Sequence, residues 1–210
     1  MPEAIDTREG WLEDAVDRLR PDFITGITAQ ARNNRWAGTQ TALPETVRVS
    51  IGFPSKNALG RRNRSIGQCW DGAAAGDSIA QVYISPLLED PVEVLAVLVH
   101  ELVHAAIGCR HGHKAPFKRA ALRMGLEGKM TATTAGAELR VRLAELADAL
   151  GEFPHSKLSP TTPDKKQTTR LLKVACLHCE PNYIARVTQK MLDAHGAPIC
   201  PGCMAIMIEA

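Results

Sequence analysis

Hydrophobic positions recur along this chain with two different periods, and each change of period marks a change of element. From Gly10 to Arg20, the residues Trp11, Leu12, Ala15, Val16 and Leu19 share one helical face, and Pro21 is expected to end that helix. Residues 21–45 carry no clear period, and Trp36 reads as a packing residue. Val47, Val49 and Ile51 then alternate with Arg48 and Ser50, which predicts a strand ending at Gly52-Phe53-Pro54. Ser65 to Trp70 and Ile79 to Ile84 predict two more short strands. The next run, residues 91–107, is apolar on nearly every face, the mark of a buried helix. Asp90, Pro91 and Glu93 suit its N-cap, N1 and N3 positions, and Gly108 suits its end. A further helix is expected from Pro116 to about Met124, followed by a loop over Gly125 to Gly136. Leu139, Leu143, Leu146 and Leu150 then mark an amphipathic helix.

After residue 150 the pattern stops. Pro154, Pro160 and Pro163 interrupt any helix, and 151–170 is expected to be a flexible linker. Tyr183 to Val187 favours a strand beyond it. The fold class expected is α+β, with helices around a small antiparallel sheet over residues 1–150 and a small β module over 171–210.

Composition changes this picture little. The chain has 210 residues, 45% of them hydrophobic but only 4% aromatic, so the core must be aliphatic. A net charge of +2 is too small to argue for a polyanionic partner, which leaves local clusters to make that case. Two exist: Arg61, Arg62 and Arg64 in the loop after the first strand, and Lys118, Arg119 and Arg123 on the helix after Pro116. With no signal-like or membrane-spanning run, a cytoplasmic location is expected.

Inside the buried helix stands His100-Glu101-Leu102-Val103-His104. Residues i and i+4 share a helical face, so His100 and His104 can grip one metal ion, and Glu101 is placed to act as a base on water there. Two histidines and a carboxylate are costly in an apolar helix unless an ion satisfies them. The third ligand is open on spacing alone. His111 and His113 both follow closely; Glu127 or Glu138 would serve if a later helix supplied it. Near the end, Cys176-x-x-Cys179 and Cys200-x-x-Cys203 have the spacing of a four-thiolate structural zinc site holding a β-ribbon. The other two cysteines, Cys69 and Cys109, read as small buried residues.

The motif, followed by a short loop and then Gly112-His113-Lys114-Ala115-Pro116-Phe117, resembles the SprT-like metalloprotease family, whose third histidine stands four residues before a phenylalanine. Met130-Thr131-Ala132-Thr133, the join Thr169 to Lys173 and the order of protease domain then zinc ribbon resemble bacterial and phage members. Lys114-Ala115-Pro116 departs from the Gly-x-x-Phe that many members carry after that histidine. The resemblance implies His113 as third ligand beside His100 and His104, one catalytic and one structural Zn²⁺, and a protein substrate associated with DNA. The alternative is a nucleic-acid-binding or transcription-associated protein that works through its ribbon without proteolysis.

Overall fold

A computed structural model of the chain describes residues 7–26, 42–60, 62–160 and 171–210. Of the positions singled out above, Trp36, Arg61, Pro163, Thr169 and Arg170 lie outside the described residues. The chain divides into two compact units, Met1–Ser159 and Pro160–Ala210. It is a mixed α+β protein with five α-helices and small sheets among the described residues.

In the first unit α1 spans Arg8–Gly26 and buries Trp11, Leu12, Ala15, Val16 and Leu19, the expected face. It does not end at Pro21. The helix continues through the proline, and the added turn places Phe23 in the core. A proline costs an interior helix about 3 kcal/mol, which is comparable to the gain from burying a phenylalanine.

Strands β1 (Val47–Ile51), β2 (Gly67–Trp70) and β3 (Ala80–Ile84) form one sheet in the order β1-β3-β2. The sheet is mixed rather than antiparallel: β1 runs parallel to β3, and β2 antiparallel to it. The basic segment between β1 and β2 is therefore no hairpin tip. It carries the chain past β3 to the opposite edge, and alternation of apolar residues cannot show that choice of partner. The register aligns Val49, Val82 and Cys69, and likewise Ile51, Ile84 and Gly67, on one face. Helices α1 and α2 (Pro91–Ile107) cover that face.

The helix α2 forms where its caps predict. Asp90 accepts a hydrogen bond from the Glu93 N–H at 2.8 Å, Pro91 stands at the first position, and Gly108 takes φ +91 at the end. Its Leu95, Leu98, Val99, Leu102 and Val103 are buried, between the sheet and the helices α3 (Ala115–Arg123) and α4 (Ala137–Leu150).

The expected loop at 125–136 is a hairpin. Strands β4 (Leu126–Lys129) and β5 (Ala132–Ala135) pair antiparallel around Met130-Thr131. Glycines and threonines hide its period. Gly125 makes the entry possible: its φ is +86, and a Cβ there would lie 2.9 Å from the Cβ of Leu139. The start of the expected linker is also ordered. Phe153 is buried against Trp11 with ring centroids 4.8 Å apart, Trp11 Nε1–H donates to Gly151 O, and Leu158 N–H donates to Pro86 O.

In the second unit β6 (Leu171–Ala175) pairs with β7 (Ile184–Thr188) and with β8 (Ile208–Glu209), and a short α5 (Gln189–His195) follows β7. Its buried cluster is Val174, Cys176, Cys200 and Met207. Half of that cluster is cysteine.

Candidate metal centres

The course of the chain into α3 brings one later histidine to the pair on α2. A single helical turn at Cys109–His111 and Gly112 reverse the direction after α2, so α3 returns alongside it. His113 then faces the exposed end of the pair on α2. Its Nε2 lies 3.1 Å from His100 Nε2 and 3.2 Å from His104 Nε2. One ligand atom from each of the three histidines lies within 4.8 Å of the others, so they form a group able to hold a metal ion. Among the described residues no carboxylate joins them, so neither Glu127 nor Glu138 is a ligand candidate. His111 also stays out; its Nε2 accepts from Arg110 Nε at 3.4 Å.

Phe117 explains why this spacing works. It is fully buried, and its ring centroid lies 4.2 Å from that of His104, 4.7 Å from His100 and 4.9 Å from His113. One apolar plate thus supports all three imidazoles. Burial pushes the pKa of His100 down to about 4 and that of His104 to about 3, and lowers that of His113. Neutral imidazoles are the form that donates a lone pair to a cation. His100 Nδ1 lies 2.7 Å from Thr133 Oγ1 on β5, a contact that directs Nε2 to the other histidines. Thr133 belongs to the segment expected to be a loop. Only its place in a four-residue motif marked it in the sequence.

Glu101 sits one residue, about a hundred degrees, further round α2 and points to the edge strand β2. It is 6% exposed. Burial, with the nearby Cys109, pushes its carboxyl up to about 8, against the hydrogen bond it accepts from the Cys69 N–H. A cation at the three histidines would oppose that rise. Gly67 permits the approach: a Cβ there would lie 2.5 Å from Glu101 Oε1 and 2.7 Å from Val97 Cγ1. No sequence signal marked Gly67, because the need arises from helix–strand packing. His100, Glu101, His104 and His113 open on a pocket of about 660 Å³, with Gly67, Cys69 and Thr133 in its wall.

The basic residues are spread out. Arg64 lines the pocket beside Asn63 and Lys129, whereas exposed Arg62, Lys118, Arg119 and Arg123 are not in its wall.

The second unit holds the other group. Cys176, Cys179, Cys200 and Cys203 bring their sulfurs together, with Sγ–Sγ distances of 3.8 Å for Cys176–Cys179, 3.3 Å for Cys176–Cys203 and 3.7 Å for Cys179–Cys200. The His178 N–H points at Cys176 Sγ at 3.4 Å, as a backbone amide does when it supports a metal thiolate. Four donors close a tetrahedron and leave no open position, unlike the three histidines.

No protein-family model, curated protein or solved structure matches this chain. No helix among the described residues is long and apolar enough to cross a membrane.

Proposed function

We propose that the chain is a zinc-dependent endopeptidase of the SprT-like kind, acting on DNA-associated proteins. One observation carries the reading: a buried carboxylate, Glu101, stands beside three converging imidazoles at an open pocket. A structural site needs no such base.

Zinc fits both donor sets. Tetrahedral bonds of about 2.0–2.1 Å to nitrogen set neighbouring nitrogens about 3.3 Å apart, and bonds of about 2.3 Å to sulfur set neighbouring sulfurs about 3.8 Å apart. The nitrogen separations of 3.1 and 3.2 Å and the sulfur separations of 3.7 and 3.8 Å fall near these values, while Cys176 and Cys203 at 3.3 Å stand closer than a bound ion would hold them. His100, His104 and His113 would hold the catalytic ion, and the four cysteines the structural one. Bound there, zinc lowers the pKa of water toward ~7 and polarises the scissile carbonyl.

The chain's own residues do the rest. Glu101 takes the proton from the attacking water and returns it to the leaving amine. The Cys69 N–H fixes one end of that carboxylate. β2 is the sheet edge nearest the site, so an extended peptide can lie along it by main-chain hydrogen bonding. The test compares wild type with Glu101→Gln on a DNA-binding protein, with and without single-stranded DNA. Cleavage by wild type alone is expected, faster with DNA. Equal cleavage by both proteins would sink the reading.

One observation favours the nucleic-acid-binding alternative. Exposed Lys173 and Arg186 stand directly opposite one another on β6 and β7. Like charges so placed repel, and a phosphate lying across them would offset the cost. DNA affinity that falls steeply with salt, flattened by Lys173→Glu with Arg186→Glu, and no proteolysis under any condition, would select it.

A further inference from the structure

Cys69 and Cys109 have no part in the chemistry above, yet they meet in its pocket. Cys69 faces α2 from β2, and Cys109 opens the turn between α2 and α3. Their sulfurs lie 3.4 Å apart, and Cys109 Sγ lies 3.5 Å from Cys69 O. Both are free thiols in the pocket wall, in reach of small solutes. The turn is fixed on the same side, because the Cys109 N–H donates to Asp71 Oδ2 at 3.3 Å. A disulfide needs its sulfurs about 2.05 Å apart, so roughly 1.3 Å of closure between β2 and the turn would join them.

We propose that Cys69 and Cys109 form an oxidative modification site: a hydroperoxide entering the pocket links them as a disulfide that ties the edge strand β2 to the turn leading to His113. The Cys109 sulfur attacks the terminal peroxide oxygen, the O–O bond breaks, and the alcohol leaves with the Cys109 proton, giving a sulfenic acid. The Cys69 sulfur then attacks the Cys109 sulfur, the S–O bond breaks, and water leaves with the Cys69 proton. Overall, two thiols and one hydroperoxide give one disulfide, one alcohol and one water. Cys109 is the first nucleophile because it is the less deeply enclosed of the two.

The linkage bears on the pocket in two places. The Cys69 N–H holds Glu101, and His113 follows Cys109 by four residues. Drawing these together displaces base and ligand, and a misplacement near 1 Å costs on the order of a hundredfold in rate. This consequence rests on the peptidase reading; formation of the bond does not.

The test treats the zinc-loaded full chain with hydrogen peroxide and digests it with trypsin. Ser65 to Arg110 contains no internal lysine or arginine, so both cysteines fall on one peptide. Wild type is expected to give that peptide lacking two hydrogens, its halves still joined after cleavage at acidic residues. Peptidase activity should fall by the order given above, and dithiothreitol should restore both thiols and activity. Cys109→Ser, and separately Cys69→Ser, should remove the linkage and the sensitivity to peroxide. Free or singly oxidised Cys69 and Cys109, or a linkage that leaves the rate unchanged, would overturn the proposal. If untreated wild type cleaves nothing, the peptidase reading has failed, and the linked peptide alone decides this one.

Discussion

The two metal groups of this chain are held in opposite ways. Two of the three histidines stand on α2, the third just ahead of α3, and α2 buries a large aliphatic core without their help: Leu95, Leu98, Val99, Leu102 and Val103 pack whether or not an ion is present. The four cysteines have no such support. Cys176 and Cys200 are themselves half of the buried cluster of their unit, beside Val174 and Met207. Around them Leu171, Ile184, Ile199, Ile206 and Ile208 stay exposed. A site that a fold can hold without its metal is free to leave a coordination position open. A site that is itself the core must be closed.

Metal removal puts most strain on this contrast. Stripping both ions from the full chain should unfold the second unit, because structural zinc supplies about 10–16 kcal/mol of apparent binding energy to such modules. The first unit should keep its helices. Backbone amide spectra would follow the two units separately; loss of both together would break the comparison. Glu101→Gln should lower cleavage by about 10²–10⁴-fold, the usual weight of a general base. Zinc content should stay the same at both groups, measured by metal analysis. Phe117→Ala removes the plate under three imidazoles and should cost the first unit about 3–5 kcal/mol. Denaturant unfolding would read that loss, and Phe117→Leu should recover part of it. Thr133→Val removes the partner of His100 Nδ1 and should weaken metal affinity at the histidines about 10–100-fold. A competing chelator would measure it, with the cysteine group as internal control. His111→Ala should leave metal affinity unchanged, and a fall like that of Thr133→Val would return His111 to the ligand set.

Much of this frame was legible in the chain. Asp90 and Gly108 bounded α2 because caps are local chemistry: each satisfies backbone groups within one turn of itself. The H-E-x-x-H spacing and the two C-x-x-C pairs were equally legible, since a helical turn and a thiolate knuckle fix which atoms can share an ion. Pro21 misled because a local cost is outweighed when the continuation buries Phe23. Residues 126–135 misled because small and threonine side chains give no period. At 151–159 the prolines concealed Phe153, whose partner Trp11 is 142 positions away.

The sequence by itself determined α2 with its caps, the strands of the first sheet and the donors able to bind metal, because these depend on neighbours within a few residues. Tertiary structure alone decided the pairings between distant segments. The order β1-β3-β2 brought Gly67 against Glu101 and Cys69 against Cys109. The return of α3 brought His113, not His111, beside His100, and the hairpin delivered Thr133 to it. Each contact joins residues from different elements, and no local pattern encodes which partners a buried face will find.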